Sequence, residues 1–256
     1  LILDIFGSHA QTREGRLQVQ LAQLKYVLPR LRGMWSHLMG EQTRGGIGSR
    51  FGQGESQLEV DRRLIRDRIS HLRGEIERVA SRRRTQSKAR WDSGIYRVSL
   101  AGYTNAGKST LLNALTDSDV YAKDELFATL DPTTRSLDLA EGRRITLTDT
   151  VGFIQKLPTT LVESFRSTLA EVSGADLVVL VVDASDPDWR AQEEAVRRTL
   201  DEIGAGDKAT LLCLNKVDLL DPADREALRL AFPDAVMVSA KEETGLGALL
   251  HAVATK

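Results

Sequence analysis

Gly102-Tyr103-Thr104-Asn105-Ala106-Gly107-Lys108-Ser109 fits the pattern G-x-x-x-x-G-K-S at every fixed position. The residues before it, Tyr96-Arg97-Val98-Ser99-Leu100-Ala101, read as a short strand, and Thr110-Leu111-Leu112-Asn113-Ala114-Leu115 after it reads as the start of a helix. Strand, glycine-rich loop and helix in that order are the context in which such a P-loop cradles phosphates. The glycines let backbone N–H groups, here those of Ala106–Ser109, converge on an anion at the positive end of the helix dipole. Lys108 is placed to reach the β- and γ-phosphates of a nucleotide, and the Ser109 hydroxyl to ligate Mg2+. A chance glycine-rich turn would explain the glycines but not the strand and helix on either side.

From about Ile95 the chain alternates strands and helices. Strands are expected at Tyr96–Ala101, Ser136–Ala140, Ile145–Thr148, Leu177–Val182, Thr210–Leu214 and Ala235–Val238. Helices are expected near Lys108–Leu115, Thr159–Val172, Asp188–Ile203, Asp224–Ala231 and Leu246–Val253. Runs such as Leu177-Val178-Val179-Leu180-Val181-Val182 mark central parallel strands covered on both faces. Residues 95–256 therefore read as an α/β domain with a doubly wound, mostly parallel sheet, which binds ligands at the C-terminal strand ends.

Three further motifs fall at those ends. Asp149-Thr150-Val151-Gly152 follows the strand Ile145–Thr148. Its Asp can hold Mg2+ through water, and the Gly152 N–H can meet a γ-phosphate. Asn215-Lys216-Val217-Asp218 follows Thr210–Leu214, and the Asp218 carboxylate can accept two hydrogen bonds from a guanine edge that adenine cannot supply. Ser239-Ala240-Lys241 closes the last strand, where the Ala240 N–H is expected to meet the guanine carbonyl oxygen. Taken singly, D-x-x-G and S-A-K are weak motifs. Their order after the P-loop makes a set, and Asp218 argues against an ATP site.

The front of the chain is different. Residues 1–97 hold 19 Lys and Arg against 10 Asp and Glu, a balance of +9, whereas the remainder holds 16 against 26, a balance of −10. A basic front half suggests contact with a polyanion, a solvated helix surface being the bland alternative. Leu17, Leu21, Leu24, Leu28 and Leu31 form one helical stripe, interrupted near Pro29; Ile65, Ile69, Leu72, Ile76 and Val79 form another. Together they predict an antiparallel helical hairpin over 12–94. Its joint, residues 45–54, holds five glycines and is expected to break the helix. Arg44, Arg50, Arg62, Arg63, Arg66 and Arg68 around it suit a nucleic-acid backbone. Leu1–Phe6 reads as a strand, the last of an upstream domain, so that residues 1–11 would be its remnant.

No apolar stretch approaches the roughly 18–20 residues of a membrane span. The single cysteine, Cys213, lies in an apolar run, where a buried strand residue is expected, and it suits a reducing, cytoplasmic setting. His9, His37, His71 and His251 are scattered without metal-ligand spacing.

The order of these pieces resembles the translation-factor-related class of small GTPases. GYTNAGKST, the segment Phe127-Ala128-Thr129-Leu130-Asp131-Pro132-Thr133-Thr134-Arg135 and DTVGFI resemble more narrowly the HflX family of ribosome-associated GTPases. Gln11–Val19 (QTREGRLQV) and Glu55–Arg63 (ESQLEVDRR) carry the likeness into the front half. The tip departs from it: the family usually reads GxRGPGE, whereas Gly48–Glu55 has one residue more and no proline. The resemblance implies a GTPase that takes GTP to GDP and binds the large (50S) ribosomal subunit; the basic hairpin is the surface expected to meet its rRNA, and a monomer is expected. The resemblance further implies that this protein splits ribosomes under stress. Spacing leaves Thr129, Thr133 and Thr134 open as Mg2+ ligands; the resemblance favours Thr129. It also implies that Asn105 helps to hold K+, against the plainer reading that Asn105 only hydrogen-bonds its loop. After DTVG, where Ras-like enzymes offer a Gln to orient water, this chain has Phe153, so slow turnover completed by a partner is expected. Two other readings compete: a GTP-dependent binding module with incidental hydrolysis, and a GTPase acting on another RNA.

Overall fold

The computed structural model describes residues 2–10, 12–31, 51–91, 94–116, 129, 132–139, 142–153 and 166–256. The chain opens with helix α1 (Ile2–His9), where the sequence reading expects a strand. A six-residue apolar run has no period of its own to decide between the two. Here Phe6 and Ala10, one helical turn apart, are both buried, and the Ala10 N–H reaches the Phe6 carbonyl at 3.0 Å. A helix satisfies its backbone internally, whereas a lone strand would need a partner edge.

Helix α2 (Arg13–Val27) is capped by Thr12, whose Oγ1 accepts the Gly15 N–H at 3.0 Å. It runs into a 3-10 turn at Leu28–Arg30, where Pro29 ends the regular helix. Leu17 and Leu21 on one face pack against Ile69 and Leu72 of helix α3 (Phe51–Trp91), with Leu24, Leu28, Ile65 and Ile76 around them. The two leucine and isoleucine stripes thus meet as expected. Gly52 and Gly54, read as part of the breaking joint, instead lie in the first turn of α3. The first turn of a helix has no intrahelical N–H partners to lose, and even in a helix interior a glycine costs only about 1 kcal/mol, which does not forbid a helix start there. The rest of the joint, residues 45–50, lies outside the described residues, as do Arg44 and His37.

The sheet contains β1 (Tyr96–Gly102), β2 (Thr133–Asp138), β3 (Arg144–Asp149), β4 (Leu177–Asp183), β5 (Ala209–Asn215) and β6 (Val236–Met237). Their order is β2-β3-β1-β4-β5-β6; β2 is antiparallel to β3 and every other pairing is parallel. The described helices of this part are α4 (Lys108–Thr116), α5 (Arg166–Ser173), α6 (Trp189–Glu202), α7 (Pro222–Ala231) and α8 (Leu246–Ala254). Residues 159–165, the start of the helix expected at Thr159, lie outside the described residues. Strand β2 begins earlier than expected and ends at Asp138, because an edge strand with exposed Arg135 and Ser136 has little apolar signal.

Strand β4 shows why its sequence is an unbroken apolar run. Val178 and Leu180 face a cluster with Val172, Val196 and Leu200, while Leu177, Val179 and Val181 face Leu111, Leu211 and Leu249. Both faces are covered along Leu177–Val182, which favours an apolar residue at each of those positions. The first cluster also takes in Phe6, Val19 and Ala22, so α1 and α2 pack directly on the domain that follows them. Cys213 is fully buried in β5, and burial pushes its thiol up to about 12. No described helix is long and apolar enough to cross a membrane.

Leu72 is fully buried between α2 and α3. Truncation in Leu72→Ala is expected to cost about 2–5 kcal/mol of unfolding free energy. Urea denaturation measures it, and an unchanged midpoint would contradict the packing described.

Candidate functional site

The C-terminal ends of β1, β3, β4 and β5 lie side by side, with β1 at the centre, where the strand order reverses. β1 delivers Gly102 into the loop, and α4 begins at Lys108. Two residues of the loop adopt positive φ, Asn105 at 63° and Gly107 at 89°. A Cβ on Gly107 would stand 2.3 Å from Asn215 Nδ2, so glycine is required by conformation and by space alike. That Asn215 amide donates to the Ala106 carbonyl at 2.8 Å, while its Oδ1 accepts the Ala240 N–H at 3.0 Å. The loop and the segment Ser239-Ala240-Lys241 are thereby tied through one buried side chain.

Lys108 is 6 % exposed and donates from Nζ to the carbonyls of Gly102 and Tyr103, both at 3.1 Å. Burial pushes its ammonium down to about 8, against the opposing pull of Asp149. The Ala106 N–H closes a turn onto the Tyr103 carbonyl at 3.2 Å. Thr104 is buried, and Thr110 is exposed in the first turn of α4.

Ser109 Oγ lies 2.6 Å from Thr129 Oγ1 and donates to Asp149 Oδ2 at 2.6 Å. Of the three threonines left open by spacing, Thr129 is the one that meets Ser109. Thr133 and Thr134 belong to β2, and Thr134 Oγ1 is shared with Thr148 Oγ1 at 2.9 Å. Phe127, Ala128, Leu130 and Asp131 lie outside the described residues. Asp149 is fully buried, and that burial holds its carboxyl above the usual range, opposed by Lys108 and by the hydroxyls of Ser109 and Thr129. Its Oδ1 has no hydrogen-bond partner. Two hydroxyls converging on a buried carboxylate with one oxygen unpaired form a hard-oxygen set that suits Mg2+.

The loop after Asp149 is fixed from both sides. Thr150 Oγ1 donates to the Leu100 carbonyl at 2.7 Å, and Val151 is buried. Gly152 passes so close to the P-loop that a Cβ there would lie 2.8 Å from Thr104 Cα. Phe153 donates its N–H to the Gly102 carbonyl at 3.1 Å and accepts the Thr104 N–H at 2.8 Å. Its ring is 1 % exposed, in the cluster with Phe6 and Val19.

On the far side, Lys216 has φ of 61° and Val217 is buried. Asp218 Oδ1 is buried without a hydrogen-bond partner. The Ala240 amide, read from the sequence as facing a guanine carbonyl, donates here to Asn215 instead. Ser239 Oγ accepts the Glu242 N–H at 3.0 Å, and Lys241 is exposed. The sequence reading passed over Asp183, the last residue of β4, whose Oδ2 lies 2.7 Å from Lys216 Nζ. Its one signal was its place at the end of a central strand.

This fold and this loop set define a P-loop GTPase domain preceded by a helical region. Residues 97–216 match the family model described as "50S ribosome-binding GTPase", and residues 9–90 match that described as "GTP-binding GTPase Middle Region". "GTPase HflX" of Magnetococcus marinus is 50% identical over 98% of this chain and 57% of its own length. "GTPase HflX" of Caldanaerobacter subterraneus is 49% identical over 99% of this chain and 57% of its own. The crystal structure of a GTP-binding protein from Sulfolobus solfataricus in complex with GDP superposes with a TM-score of 0.58 at 26% identity, covering 99% of this chain and 70% of that one. The chain belongs to the HflX family, and it spans rather more than half the length of the curated relatives it matches.

Because Asn215 satisfies both the Ala106 carbonyl and the Ala240 N–H, Asn215→Ala is expected to destabilise the fold by at least about 2 kcal/mol. Thermal or urea unfolding of the nucleotide-free protein tests this; an unaltered midpoint would show that the two loops do not depend on that amide.

Proposed function

We propose that the chain binds GTP with Mg2+ and hydrolyses it to GDP and phosphate. The observation behind this reading is the cluster of Ser109, Thr129 and Asp149 beside Lys108, with the unpartnered, buried Oδ1 of Asp218 at the end of the neighbouring β5 turn. Ser109 and Thr129 would hold the cation directly and Asp149 through water. A bound Mg2+ neutralises charge on the β- and γ-phosphates.

The rest of the chemistry falls to the chain. Lys108 exchanges its two carbonyl partners for phosphate oxygens, and the anion relieves the burial that depresses its ammonium. The backbone N–H groups from Ala106 to Ser109 surround the phosphates, and the Gly152 N–H meets the γ-phosphate. In Asn215-Lys216-Val217-Asp218 the last residue accepts the guanine N1–H and 2-amino hydrogens. Water attacks in line, and positioning with charge supplies the acceleration.

The Phe153 ring is sealed in the core and cannot orient that water. Turnover of the isolated chain is therefore slow, and a partner completes the site. Asn105, exposed and at positive φ on the loop, is the residue through which K+ would add charge there. The partner proposed is the large ribosomal subunit, met by the basic α2–α3 pair. Arg63, Arg66, Arg68, Arg73, Arg78 and Arg82 are exposed along α3, and such a surface suits a phosphate backbone. The finer reading is a monomer in the cytoplasm that splits ribosomes under stress. The burial of Phe153 also favours a second reading, in which GTP sets a conformation and hydrolysis is incidental.

GTP turnover measured with and without purified 50S subunits separates these readings. Stimulation of roughly 1000-fold, the scale on which a supplied group raises GTPase rates, is expected if the partner completes the site. Turnover unmoved by 50S subunits, with GTP still bound, would favour the conformational switch.

A further inference from the structure

Asp183, which no motif of the nucleotide site includes, forms an ion pair with Lys216 of Asn215-Lys216-Val217-Asp218. The Lys216 ammonium lies 2.7 Å from Asp183 Oδ2, and both side chains are largely withdrawn from solvent, at 25 % and 18 % exposure. The carboxylate is held from its other side as well. Asp183 Oδ1 accepts the Ser185 N–H at 3.0 Å and the Ser185 hydroxyl at 2.6 Å. Its backbone is fixed by register with Asn215 and by the Asp186 N–H, which reaches the Asp183 carbonyl at 3.2 Å. Asp183 is thus a rigid anchor at the end of a central strand, and Lys216 is what it anchors.

Lys216 needs one. It stands in the left-handed region at φ 61°, which a residue with a Cβ adopts only when its surroundings hold it there. On one side of it is Asn215, which ties the P-loop to Ala240; on the other, two residues on, is Asp218 with its buried, unpartnered oxygen. The turn that aims Asp218 therefore passes through a backbone conformation that the Lys216 side chain can stabilise only if its ammonium is pinned. A mere surface ion pair would have no such turn to hold, and no second pair of donors on the acid.

We propose that Asp183 is a positioning residue for base recognition: by pinning Lys216 it holds the 215–218 turn in the arrangement that presents Asp218 to a guanine base. This rests on the guanine reading given above. Asp183 bonds to Lys216 and Ser185 and stands outside the Lys108, Ser109, Thr129 and Asp149 cluster, so its effect should fall on affinity and base preference and not on the chemical step.

The test is fluorescent-nucleotide binding of GDP and of IDP, which lacks the 2-amino group, to the wild-type chain and to Asp183→Asn, Lys216→Met and the double variant. Asparagine keeps the size and the acceptor for Ser185 but loses the charge. Asp183→Asn is expected to weaken GDP roughly tenfold and to narrow the preference for GDP over IDP. KM for GTP should rise in step while kcat at saturation is unchanged, and the double variant should be no weaker than Lys216→Met alone. Additive losses, or an unchanged GDP-to-IDP ratio even with a lowered urea midpoint, would overturn the inference. Wild-type protein that binds no guanine nucleotide would instead overturn the reading on which it rests.

Discussion

One buried amide holds the site together. Asn215 stands at the end of β5, 1 % exposed, donating to the Ala106 carbonyl and accepting from the Ala240 N–H. Both partners are backbone groups in loops with no regular ladder of their own, so a buried donor and a buried acceptor rely on the same side chain. The need for glycine at 107 follows in part from it, since any Cβ would occupy the space of that amide. The phosphate loop, the Asp218 turn and the Ser239–Lys241 segment are thereby fixed to one point of a parallel sheet, whose central strands are buried on both faces and cannot shift independently.

The second constraint joins the front of the chain to this edge. Val151 and Phe153 flank Gly152 and are both buried with Phe6, Val19 and Ala22 of the first two helices. Gly152 itself presses against Thr104, and the Phe153 backbone is bonded to Gly102 and Thr104. The segment after Asp149 is therefore held between the phosphate loop and the helical region. Phe153 serves this packing, which explains in physical terms why an apolar ring occupies a place where a polar side chain could have oriented water.

Much of this was legible in the sequence because the informative residues sit in strongly patterned surroundings. The P-loop was bracketed by a strand and a helix, and β4 could be read as central from its unbroken apolar run. The stripes of α2 and α3 met as their period required. Where the pattern was weak, the reading failed or stayed open. Leu1–Phe6 was apolar at every position but Asp4, which fits either period, and the burial of Phe6 with Ala10 decided for a helix. Strand β2 is a polar edge whose limits come from pairing with β3. Thr129, Thr133 and Thr134 are alike in type and close in sequence, and only folding separates the one beside Ser109 from those in a ladder. Asp183 offers the sequence reader only its place at the end of a central strand, since its meaning lies in a lysine contributed by the neighbouring strand's end.

The central claim is that this edge of the sheet is built to bind a guanine nucleotide, with the orphaned Asp218 oxygen reading the base. The most direct measurement compares binding of GTP and XTP by the wild-type chain and by Asp218→Asn. The account predicts that the variant loses GTP affinity by roughly 30-fold or more, the cost of unpairing a buried charged contact, while its affinity for XTP holds or rises. Equal loss of both nucleotides, or no loss of GTP, would contradict it.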